Sequence, residues 1–157
     1  MKNKLRFLIY LLTILLFSFT ALGENEIELG IYEYVYEYNT KSLIENHYIE
    51  LIKKNGIIEG RYYGTSDDFD EAREGYLPGF FSAEMKNLQI KGNKISFEVR
   101  PNKFFNKAIT PMKQNIKNSI WDLIYRYDKR IYHGTYHDGK IVIQSDGINN
   151  RVFVKIK

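Results

Sequence analysis

Beyond residue 28 the chain repeatedly alternates apolar and polar positions, tyrosine and isoleucine are abundant, and turn residues recur at short intervals. That pattern predicts strands. Three two-residue turn signals fix how they pair. Asn55-Gly56 suits a type I′ turn and sets Lys54 opposite Ile57. One face then collects Leu51, Gly60, Ile49 and Tyr62, with Lys53 and Ile58 at its tip; the other opposes Ile52 to Glu59, Glu50 to Arg61 and Tyr48 to Tyr63. Gly92-Asn93 suits a type II′ turn, opposing Ile90 to Ile95, Leu88 to Phe97 and Lys86 to Val99. Asp138-Gly139 sets Tyr136, Gly134 and Tyr132 against Ile141, Ile143 and Ser145 as an inward face, leaving His133 and His137 outward. A last strand, Val152 to Ile156, points Val152, Val154 and Ile156 one way, as its apolar face.

Further strands are predicted over Leu29 to Tyr38, near Phe80 to Ile90, and over Ile120 to Tyr127, making about nine segments. A large antiparallel sheet with one apolar face must cover it. The reading is all-β: an antiparallel up-and-down barrel of about eight to nine strands, with a two-sheet β-sandwich as the alternative. Three connections predict short helices. Ser42 to Glu45 has the spacing of a capping box. Ser66 to Gly75 offers a cap, early acids and a terminal glycine. Thr110-Pro111 resembles a cap followed by proline, with Met112, Ile116 and Ile120 four apart.

The first 23 residues depart from this pattern. Lys2, Lys4 and Arg6 precede the largely apolar run Phe7 to Leu22, and Ala21 and Gly23 place small residues before Glu24. This layout predicts a secretory signal peptide over 1–23, and a periplasmic or secreted bacterial protein; a retained membrane anchor is the alternative. Residues 24–157 then form a single domain, soluble and with no membrane span after cleavage. That segment is large enough to bury a core without staples, which suits the absence of cysteine from the chain. The signal holds three cations and no acid, so the remainder carries a formal charge of +1 rather than +4. A near-neutral domain argues against a nucleic-acid partner.

One domain behind a signal peptide, sequential hairpins, and Gly30-Ile31-Tyr32 opening the first strand together resemble the calycin superfamily, lipocalins above all. The usual Gly-x-Trp of that strand is absent, Tyr32 standing where the tryptophan would be. The resemblance implies a small apolar or amphipathic molecule held in a barrel mouth, and no residue role is carried over from it.

The candidate chemistry is aromatic and acidic. Tyr32, Tyr34, Tyr36 and Tyr38 share one face of the first strand, opposite Glu33 and Glu37. Buried tyrosines combine apolar rings with hydroxyls that need partners, so this stripe could line a cavity. With Tyr62, Tyr63, Arg73, Tyr76 and Phe80 it forms the predicted ligand-binding set. Asp67, Asp68, Asp70 and Glu71 crowd the long 66–75 connection and form a predicted protein-binding set, as for an inhibitor of a hydrolase; a structural envelope protein is the third possibility. No cofactor or metal is implied. Those acids lack EF-hand spacing, and His133 and His137 on a strand would lie about 13 Å apart. No thiol, nucleophile elbow, zinc-binding His-Glu-x-x-His or phosphate loop is present, so no catalytic residue is assigned and an enzyme is not the favoured reading.

Overall fold

The structure is a computed structural model. It describes residues 26–36, 46–65, 69–70, 75–76, 79–113, 120–122, 129–145 and 148–157. The predicted signal (1–23), the Ser42 to Glu45 helix, Asp67, Asp68, Glu71, Arg73 and the end of the Ile120 to Tyr127 strand lie outside the described residues.

Every regular element among those residues is a strand. In chain order they are β1 (Gly30–Tyr34), β2 (His47–Lys54), β3 (Ile57–Thr65), β4 (Phe69–Asp70), β5 (Gly75–Tyr76), β6 (Phe80–Glu84), β7 (Lys86–Lys91), β8 (Lys94–Val99), β9 (Lys103–Phe105), β10 (Ile120–Asp122), β11 (Arg130–His137), β12 (Lys140–Ser145) and β13 (Ile148–Lys155). Strands β4 and β5 pair with each other; the other 11 form one antiparallel sheet in the order β10-β9-β6-β3-β2-β1-β13-β12-β11-β8-β7. The predicted helix over 66–75 is therefore corrected. Phe69 pairs with Tyr76 and Asp70 with Gly75, so two extended pieces lie where a helix was expected. The predicted 110–120 helix is also absent from its described part. Thr110 bridges Lys113 around Pro111 and Met112, and Ile120 is already in strand.

The three turns form where their residues demand them. Asn55 and Gly56 have φ of 52° and 83°, Asp138 and Gly139 of 47° and 73°, the two positive values of a type I′ turn. The β2–β3 register is the predicted one from Lys54↔Ile57 to Tyr48↔Tyr63, and β11–β12 likewise from His137↔Lys140 to His133↔Gln144. The β7–β8 pair departs from expectation at one point. Its register runs as predicted through Gln89↔Ser96, then shifts so that Lys86 faces Glu98 rather than Val99. Asn87, at φ 51°, takes up the extra residue as a bulge.

That bulge has a topological effect. The segment Phe80–Lys91 pairs with β3 through β6, then with β8 through β7. At the changeover the Met85 amide donates to the Gly60 carbonyl (2.9 Å). One nearly continuous strand thus serves both flanks of a rolled sheet. The roll is tight. Laid flat, β3 and β11 would be about 24 Å apart across four intervening strands. Instead Tyr62 of β3 stacks on Tyr132 of β11 with ring centroids 5.3 Å apart. No ladder among the described residues joins β6 to β8, however, and β9 occupies the free edge of β6. The sheet is not closed into a barrel, so that expectation is corrected. It is not two separate sheets either.

The rolled interior is packed with rings. Tyr62 lies against Phe81, Phe97, Tyr132 and Phe153, all centroid distances between 5.3 and 6.2 Å. Leu51, Phe97 and Ile143 are buried as their registers required, and Ile90 packs partly buried against them. Complete burial of such a side chain contributes about 1.5–3 kcal/mol, so this cluster is the main source of stability.

Strand β13 reverses the expected sidedness. Val152 and Val154 are exposed (43% and 45%), while Phe153 and Arg151 are buried. Ladder partners explain it. Opposed residues share a face, and Ile141↔Phe153 and Ile143↔Arg151 commit Phe153 and Arg151 to the interior, with half-buried Lys155 on the same face opposite Tyr32. The valines follow Val142 and Glu33 outward.

Candidate ligand-binding site

The two ends of the rolled sheet differ. The tight turns at 55–56, 92–93 and 138–139, the entry of the chain at 26–29 and residue 157 lie at one end, as the registers of β1, β2, β8, β11, β12 and β13 require, while the short link between paired Ser145 and Ile148 lies at the other. The long connections 37–46, 66–79 and 100–129 leave from the other. Long connections on a rigid scaffold are where binding residues concentrate.

Beneath that loop end sits a buried polar cluster. His47, the first residue of β2, is fully buried, and Arg151 of β13 is 5% exposed. Tyr34 pairs with His47 across β1–β2. Tyr36, two residues past the end of β1, meets Arg151 of β13 through its hydroxyl. Arg151 donates from Nη1 to the Tyr62 hydroxyl (3.1 Å) and from Nη2 to the Tyr36 hydroxyl (2.8 Å). Its guanidinium also lies 5.7 Å from the ring centroids of both Tyr34 and Tyr36, within cation–π range. His47 Nδ1 is 2.8 Å from the Tyr62 hydroxyl, and Nε2 is 3.1 Å from that of Tyr36 and 3.2 Å from Thr65 Oγ1.

Donor chemistry orders these contacts. A guanidinium only donates, so the Tyr62 and Tyr36 oxygens accept from Arg151. Each of these phenol oxygens also lies against one ring nitrogen of His47. The result is a chain of polar contacts from a buried cation through phenols to an imidazole, reaching half-buried Tyr36 and Thr65.

The predicted tyrosine stripe is divided between two places. Tyr32 is fully buried toward the tight-turn end, its hydroxyl donating to the Glu28 carbonyl (2.5 Å) and its ring set edge-on to Tyr136. Tyr34 and Tyr36 are at the loop end, 4.9 Å apart, and Tyr62 is beneath them. Tyr38 lies outside the described residues. Tyr63 faces the other side of β3, where its hydroxyl donates to Glu50 (2.7 Å); burial pushes that phenol's pKa up, with Glu50 adding to the effect. Phe80 is half-buried at the start of β6, opposite Thr65 and Phe105. Tyr76 and Asp70 enter as residues of the β4–β5 pair. The structure therefore brings together Tyr34, Tyr36 and Tyr62 from the predicted set.

Sequence reasoning did not single out His47, Thr65 or Arg151. The signal for two of them was present: strict alternation puts Arg151 on the face of Phe153 and His47 on the face of Ile49. Two grooves lie elsewhere. One of about 640 Å³ follows the unladdered seam, with Arg61 and Glu84 on one bank and Glu98 and Arg100 on the other. Its acids are engaged: Lys86 holds the Glu84 carboxyl below the usual range, and Lys129 does the same for Glu98. The second groove, about 380 Å³, crosses the outer face over Gln89, Ser96, His133 and Gln144. Among the described residues no group of three or more His, Cys, Asp or Glu could hold a metal ion, and no helix is long and apolar enough to cross a membrane. No protein-family model, curated protein or solved structure matches the chain.

Proposed function

We propose that the chain is a small-molecule-binding protein acting in the periplasm or outside the cell. Its ligand pairs an anionic or strongly hydrogen-bond-accepting group with an apolar part. The site is the loop end, where Tyr34, Tyr36 and Thr65 form a rim above His47 and Arg151. The observation that carries this reading is Arg151: a buried guanidinium, fixed by two tyrosine hydroxyls and two rings, directly under half-exposed aromatics. A cation fixed in this way has already lost its rotamer freedom, so a ligand meets a preorganised donor. Aromatic rims supply the apolar contact. The packed interior favours a ligand at the rim over one in a central cavity. The binding role is what we retain of the calycin resemblance.

The test is native mass spectrometry of protein purified from its own source. The wild-type chain is expected to carry a small adduct, which Arg151→Gln and Tyr36→Phe lose or weaken at least tenfold while circular dichroism shows the fold retained. Folded wild-type protein with no adduct, or an adduct indifferent to both substitutions, overturns the reading. So does a co-purifying protein released by Asp67→Asn and Asp70→Asn, which would favour the acidic 66–75 connection as a partner surface.

A further inference from the structure

The β2–β3 hairpin extends beyond both of its neighbours. On the β2 side the ladder to β1 ends at Gly30↔Leu51; on the β3 side the ladder to β6 ends at Arg61↔Glu84, with Gly60 bonded to Met85. Residues 52–59 pair only with each other in the sheet. They form a two-stranded ribbon reaching about 13 Å past the body of the sheet. Such a ribbon is marginal in water on its own. This one is also apolar on both faces. Ile52 and Ile57 point outward and Ile58 inward, and Ile57 is the most exposed large apolar side chain described, at 68%. Lys53 and Lys54 both precede the Asn55-Gly56 turn, and Glu59 is the single acid on the ribbon.

We propose that this hairpin tip docks into the surface of an anionic phospholipid bilayer. A protein surface most readily covers one face of a ribbon, whereas a bilayer surrounds an inserted tip and covers both. Interfacial insertion reaches about 5–10 Å, within the length of the overhang. Charge favours anionic lipid. The same end of the molecule carries Lys91, Lys94, Lys140 and Lys157 beside the tight turns and last residues. Of the nearby acids, Glu28 is engaged by Lys155, Asp138 lies 2.9 Å from His137, and Glu26 and Glu59 offset part of the lysine charge. Docking here turns the loop end, with Arg151, away from the lipid. The proposal is independent of any ligand at that site.

The absence of cysteine makes a direct test possible. An environment-sensitive fluorophore is attached to Ile57→Cys in the full chain, and separately to Asn102→Cys, an exposed position at the loop end. On phosphatidylglycerol vesicles the label at 57 is expected to shift to an apolar environment and be quenched by brominated lipid, while the label at 102 is unchanged. Phosphatidylcholine vesicles should need at least about 25-fold more lipid for the same response, since Lys53 and Lys54 each contribute roughly fivefold at an anionic surface. Lys53→Gln with Lys54→Gln should raise the phosphatidylglycerol requirement by about that factor. A label at 57 that stays in water on vesicle-bound protein, equal responses at 57 and 102, or an equal response to both lipids overturns the proposal. So does burial of the label without lipid in a particle of doubled mass.

Discussion

Gly64 lies one residue beyond the Tyr48↔Tyr63 pair of β2 and β3, and the His47 imidazole fills the space its Cβ would take. A Cβ at Gly64 would come within 2.6 Å of His47 Cε1 and closer still to Nδ1. The glycine is needed for this close approach, since its own backbone is ordinary extended strand. Gly64→Ala must push a buried, hydrogen-bonded ring aside. We expect a loss of about 1–3 kcal/mol in urea unfolding, and displaced His47 ring resonances in NMR spectra.

Tyr62 holds two polar partners with one oxygen, so Tyr62→Phe leaves both His47 Nδ1 and Arg151 Nη1 short of a bond while keeping the ring stack. The expected cost is about 1–3 kcal/mol. Paired with Arg151→Met in a double-mutant cycle, it should couple by about 0.5–3 kcal/mol, because each substitution already removes part of what the other breaks. Additive losses would show that the cluster is not a unit.

Burial also sets an alkaline limit on stability. It is the largest cause pushing up the phenol pKa values of Tyr32, Tyr48 and Tyr63, Tyr48 to about 12 from an ordinary value of 10.0. A raised folded value means the folded state favours the neutral phenol. The associated stability is complete below pH 10 and is lost as pH rises toward and through the folded values. Absorbance titration at 295 nm should therefore show a late group of tyrosines ionising together with unfolding above about pH 11, and urea midpoints should be level from pH 8 to 9.5.

Strand β13 supplies a paired test of sidedness. Phe153→Ala should cost about 3–5 kcal/mol, whereas Val154→Thr should stay within about 0.5 kcal/mol. The reverse order in urea unfolding would place the valines inside.

Local chemistry made the hairpins legible. Asn55-Gly56 and Asp138-Gly139 need positive φ at both positions, which few residue pairs tolerate, and a two-residue turn leaves one register. The β13 inversion was hidden because its apolar residues were judged alone. Two neighbouring ladders impose its facing, and a buried Arg151 is tolerated because tyrosines solvate it. The cluster itself depends on contacts such as Arg151 to Tyr62, 89 positions apart, which no local pattern encodes. The closed barrel was expected because sequential hairpins suggest simple neighbours; the bulge at Asn87 and the insertion of β9 beside β6 left a seam instead.

Among the described strands β13 comes last in chain order, yet it fills a central slot in the sheet between β1 and β12. A nascent chain halted before Ile148 has two naked strand edges and lacks Phe153 at the middle of its ring stack. Pairings between the first and last strands are also slow to find, because a long loop must close before they are rewarded. The sheet therefore remains open until residues 148–155 arrive. Such a delay leaves unpaired strand edges and apolar rings exposed to aggregation in the meantime.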